Sequence, residues 1–109
     1  MSDYPIPNLS NDLSGQVALV TGTTSGLGKR FAQVIAASGA KVAVTGRRVD
    51  RLEALASEIN AAGGTAEPIH LDMQDNASII DCVNRAEEAL GTVTILVNNA
   101  GIPDAQRAH

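Results

Sequence analysis

The chain has 109 residues, 44% of them apolar and only 2% aromatic, so it can bury one modest core and that core must be aliphatic. Eight basic against twelve acidic residues leave a net charge of −4, which argues against nucleic acid or an anionic membrane surface as partners. The single cysteine, Cys82, excludes an internal disulfide, and His70 and His109 stand at no ligand spacing from it, so no metal site is expected.

Residues 1–12 form a polar leader without the apolar run of a signal peptide or membrane span, and a cytoplasmic location is expected. Residues 13–109 read as one domain. The run 16–21 (QVALVT) predicts a first strand ended by Gly22. From Leu27 the period changes, and Leu27, Phe31, Val34, Ile35 and Ser38 mark one face of a helix closed by Gly39. Residues 41–45 (KVAVT) predict a second strand. A second helix follows with Val49, Leu52, Leu55, Ala56 and Ile59 on its face. Residues 65–71 (TAEPIHL) are a weaker third strand, which should lie at a sheet edge or end early because Pro68 has no N–H to give to a ladder. Asp75 or Asn76 caps a third helix with Ile79, Ile80, Val83, Ala86 and Leu90 inward, and Gly91 ends it. Residues 93–97 (VTILV) are the fourth strand. Cys82, among apolar neighbours, reads as a small core residue.

Strands that alternate with helices of this length pair in parallel, and right-handed crossovers give an open twisted sheet covered on both faces. The fold class is therefore α/β with a doubly wound parallel sheet, and if it takes the Rossmann-type order its first four strands stand 3-2-1-4.

Between the first strand and first helix lies Thr21-Gly22-Thr23-Thr24-Ser25-Gly26-Leu27-Gly28. Glycines there permit a tight reversal and a close backbone approach, and the positive end of the helix would face an anion such as a diphosphate. The spacing is G-x-x-x-G-x-G, which is neither a Walker A loop nor a nucleophile elbow. The alternative is a tight turn and nothing more. About 20 residues downstream, where dinucleotide sites of this kind meet the adenosine ribose, the second strand ends in Gly46-Arg47-Arg48. An acidic residue at that point would hold ribose hydroxyls. Two guanidinium groups instead favour a 2′-phosphate and so NADP(H) over NAD(H), with Arg47 ahead of Arg48. The alternative is a pair of solvated arginines at a helix start.

Asp72-Met73 follows the third strand and Asn98-Asn99-Ala100-Gly101 the fourth. Together with the glycine turn, these residues resemble the N-terminal signature of the short-chain dehydrogenase/reductase family, from about residue 13 to 102. The resemblance implies an oxidoreductase that interconverts an alcohol and a carbonyl by hydride transfer. It implies that Gly22, Ser25, Gly26, Leu27 and Gly28 cradle the cofactor diphosphate. Asp72 would accept from the adenine amine with the Met73 amide beside it, Asn98 would tie the fourth strand into the sheet, and Asn99, Ala100 and Gly101 would line the adenosine side. Dimers or tetramers of one chain are expected by the same resemblance.

The family's Tyr-x-x-x-Lys pair and serine belong C-terminal to this region. Here the only tyrosine is Tyr4, with Asn8 four residues on, so no residue of the chain is assigned as catalytic. The expectation is the cofactor-binding part of a longer enzyme, with a small-molecule substrate selected elsewhere. The alternative is a non-catalytic dinucleotide-binding or redox-sensing module.

Overall fold

Parallel pairing places every strand of this chain in the same direction, and the helices between them carry the return. The computed structural model describes residues 13–23 and 26–99. Within them the order is β1 (Val17–Thr21), α1 (Gly26–Ala37), β2 (Lys41–Gly46), α2 (Val49–Ala61), β3 (Thr65–His70), α3 (Asn76–Leu90) and β4 (Ile95–Asn98). The sheet runs β3-β2-β1-β4 with all pairings parallel. Pro68 lies in β3, an edge strand, where a missing ladder donor is tolerated.

The apolar runs of β1 and β2 are explained by burial from both sides. On one face Val20, Val42 and Val44 pack under Ala32 and Ala36 of α1 and Leu52, Leu55, Ala56 and Ile59 of α2. On the other, Val17, Leu19, Ala43 and Ile69 meet Cys82, Ala86 and Leu90 of α3. Burial, with the Asp81 charge adding to it, pushes the Cys82 thiol up to about 11, as befits a side chain that packs and does not react. Asp75 caps α3 by accepting from the Ala77 N–H at 3.0 Å. Gly39 follows α1 at φ +107°, a conformation that disfavours any residue with a Cβ.

Three expectations need correction. Most of the face of α1 read from periodicity stays outside the core: Leu27 and Val34 are 59% and 57% exposed and Phe31 is exposed too, while Ile35 packs against the core and Ser38 is buried. The helix meets the sheet through Gly28, Ala32 and Ala36 instead. Because α1 lies too close to the glycine turn for larger side chains, small residues at i, i+4 and i+8 make the contact. In α3, likewise, Ile80 is 64% exposed and Val83 lies at the surface, while Cys82 occupies the core position, and Val49 of α2 is exposed. Finally, β4 starts at Ile95 and not at residue 93. The Thr94 hydroxyl accepts from Val17 N–H at 3.1 Å while Thr94 N–H donates to Val17 O at 2.9 Å, so a side chain substitutes for the first rung of the ladder. No helix among the described residues is long and apolar enough to cross a membrane.

Candidate cofactor site

The carboxyl ends of β1, β2 and β3 lie side by side, and at the ends of parallel strands the connections to helices diverge and leave a crevice. A cavity of about 670 Å³ occupies this position. Gly22 enters it from β1, Gly46, Arg47 and Arg48 from β2, and Leu71, Asp72, Met73 and Gln74 from β3.

The glycine turn is fastened on both sides. Toward β2, the backbone N–H and hydroxyl of Thr23 both donate to Thr45 O, at 3.1 and 2.9 Å, and the Thr45 hydroxyl donates to Val20 O at 2.8 Å. Toward β4, Asn99 Nδ2 donates to Gly22 O at 3.3 Å. One residue earlier the Thr21 hydroxyl donates to Asn98 Oδ1 at 3.0 Å. Gly22 turns at φ +68°, in the left-handed region that favours glycine. Gly28 is needed for a different reason: a Cβ there would stand 2.2 Å from Gly22 O and 2.8 Å from Asn99 Nδ2. The first turn of α1 carries no acidic residue, so no carboxylate of that turn opposes an anion at the helix's positive end.

Across the cavity, Arg47 and Arg48 are exposed, and their side chains are in no ion pair or hydrogen bond among the described residues. Asp50, in the first turn of α2, does not line the cavity. Asp72 is half-buried, and its Oδ1 accepts from Gln74 N–H at 3.0 Å. Two cations, a backbone turn and one carboxylate thus surround a single space. That donor set is complementary to an adenosine carrying phosphates, and the residues fit such a group.

Of the residues singled out in the sequence, Gly22, Arg47, Arg48, Asp72 and Met73 come together on this cavity. Gly26, Leu27 and Gly28 form the first turn of α1 without lining it, and Asn99 reaches Gly22 with its side chain. Ser25, Ala100 and Gly101 lie outside the described residues. Sequence reasoning passed over Thr23 and Thr45, both fully buried, as well as Gln74 and Ser78. Thr23 and Thr45 could have been suspected as hydroxyls at the ends of two apolar strands.

The family model for short chain dehydrogenases matches residues 16–109. An uncharacterised oxidoreductase of Caenorhabditis elegans is 47% identical over 90 residues, covering 81% of this chain and 29% of the relative. A dehydrogenase/reductase from Sinorhizobium meliloti superposes with a TM-score of 0.81 at 39% identity, over 89% of this chain and 39% of that one. A metagenomic short-chain oxidoreductase solved in complex with NADP superposes at 0.76 with 42% identity, over 83% of this chain and 41% of that one. The chain therefore spans between about three-tenths and two-fifths of the lengths of these proteins. With a matched sequence from Gln16 onward and a four-stranded parallel sheet whose strand ends carry the glycine turn and Asp72, the chain belongs to the short-chain dehydrogenase family of oxidoreductases.

Proposed function

We propose that residues 13–109 form the adenosine- and phosphate-binding part of an NADP(H)-dependent oxidoreductase that interconverts an alcohol and a carbonyl. The observation that carries this reading is the pair Arg47 and Arg48 directly after β2, on the same cavity as Gly22 and Asp72 and with no acidic side chain at the end of that strand. The similar metagenomic oxidoreductase in complex with NADP supports it.

In this reading Gly22 and the first turn of α1, from Gly26 to Gly28, face the diphosphate with backbone amides and the helix's positive end. By resemblance to the family, Ser25 joins the diphosphate cradle, and Asn99, Ala100 and Gly101 line the adenosine side. Arg47 holds the ribose 2′-phosphate by paired, charge-assisted hydrogen bonds, and Arg48 adds a second positive charge. Asp72 accepts from the adenine amine, with Met73 against the base. Asn99 holds the Gly22 carbonyl, which keeps the turn at a fixed distance from β4. When bound, the nicotinamide supplies the hydride.

The test is turnover by the intact protein with NADPH and NADH against a panel of alcohols and carbonyl compounds. Oxidation of NADPH at a kcat/KM at least about tenfold above that of NADH is expected, since one charge-assisted phosphate contact is worth at least about 1.4 kcal/mol. Equal use of both cofactors, or a preference for NADH, would remove the role given to the arginines.

A further inference from the structure

One residue outside the cavity is fastened to the carboxylate within it. Asp72 leaves β3 with its N–H donated to Ser78 Oγ at 3.0 Å. Its carbonyl accepts from Asp75 N–H at 3.0 Å, and its Oδ1 accepts from Gln74 N–H at 3.0 Å. The preceding residue is held as well, because Leu71 N–H donates to Gly46 O at 2.8 Å. Ser78 itself is half-buried in the first turn of α3, one turn before Cys82, which is sunk in the core. The Ser78 hydroxyl therefore joins a cavity residue to the helix packed behind it.

We propose that Ser78 is a positioning residue for base recognition: it fixes the backbone of Asp72 so that Oδ2, which has no partner among the described residues, is presented to an exocyclic amine in the cavity. The proposal rests on the cofactor reading above. A serine hydroxyl suits the task because it can accept the amide hydrogen and still donate its own. Alanine would leave the Asp72 N–H unpaired at a half-buried strand end, free to turn toward water and carry the carboxylate with it.

The decisive readout is discrimination between bases and not affinity alone. In the intact protein, equilibrium titrations compare NADPH with its hypoxanthine analogue, in which an oxo group replaces the amine. Wild type is expected to prefer NADPH by about tenfold or more, the value of one hydrogen bond to a charged group. The S78A variant is expected to reduce that preference to within about threefold of unity, as D72A does, by losing NADPH affinity while binding of the analogue stays level. S78T, which keeps the hydroxyl, is expected to restore the preference. A ratio of dissociation constants does not depend on how much of a variant is folded, and S78C serves should S78A fail to fold. Equal weakening of both ligands by S78A would show a merely structural role and overturn the proposal, as would an unchanged preference. Wild type that binds both ligands equally overturns it too, yet leaves the cofactor site standing. Wild type that binds neither overturns the cofactor reading itself.

Discussion

Replacing Gly28 with alanine is expected to abolish tight dinucleotide binding and to destabilise the fold, although helix propensity alone predicts the opposite. In the interior of a helix alanine is favoured over glycine by about 1 kcal/mol. At Gly28, however, the added Cβ would meet Gly22 O at 2.2 Å and Gly22 C at 2.9 Å, both backbone atoms, and Asn99 Nδ2 at 2.8 Å. No side-chain rotation relieves a collision with backbone. Either α1 moves off the sheet or the glycine turn moves into the cavity, and overpacking of this kind costs about 3 kcal/mol, with the helix preference offsetting only part of it. Each charge-assisted amide contact to phosphate that the displaced turn loses costs about tenfold or more in affinity. Denaturant unfolding and NADPH titration of the same variant check both halves. A G28A protein as stable as wild type that binds NADPH within about threefold of it would contradict the close packing of α1 on this turn.

The double variant R47A/R48A is expected to abolish the preference for NADPH without loss of stability. Both side chains are exposed and neither is in an ion pair among the described residues, so their removal breaks no internal ion pair. If they hold a 2′-phosphate, NADPH affinity falls by about 30- to 100-fold, the equivalent of two charge-assisted contacts after solvent screening, while NADH affinity changes by less than about threefold. Among the single variants, R47A carries the larger share, since Arg47 comes first after the strand. A parallel loss for both cofactors would mean that the arginines act on the diphosphate common to them. No loss for either would leave them as solvated charges at the start of α2.

How much of this was legible in the sequence depends on which kind of signal each feature needed. The four strands announce themselves as short β-branched runs such as VALVT and KVAVT, and their alternation with helices leaves parallel pairing as the natural solution. The order β3-β2-β1-β4 is the Rossmann-type one, which alternation alone does not select, and Pro68 pointed to an edge position or an early end for β3. The packing face of α1 was only partly legible from hydrophobic periodicity, which placed Ile35 and Ser38 inward correctly but also weighed Leu27, Phe31 and Val34 by size, while the close contact is made by Gly28, Ala32 and Ala36. The spacing of those small residues by four was the better signal. Likewise β4 begins two residues late because the Thr94 side chain, not its strand propensity, meets Val17.

The site divides in the same way. Gly22, Arg47 and Arg48 could be named because each stands at a strand end, Asp72 and Met73 through resemblance to the family, and the sheet brings all five together. Thr23 and Thr45 could not be paired without knowing that β1 and β2 are neighbours in a register that sets Val20 beside Val44. Ser78 was invisible for another reason. Its bond to Asp72 spans a loop whose path no local pattern dictates, and at the start of a helix a serine normally reads as a solvated polar residue.

The central claim is that this segment binds the phosphorylated adenosine end of the cofactor, and one comparison tests it without any substrate. The affinities of the intact protein for 2′,5′-ADP and for 5′-AMP differ only by what surrounds the ribose 2′ position. Calorimetric titration is expected to show 2′,5′-ADP bound at least about tenfold more tightly, with the advantage shrinking as salt is raised and disappearing in R47A/R48A. Equal affinities, or a preference for 5′-AMP, would contradict the account and leave Arg47 and Arg48 without the phosphate they are placed to hold.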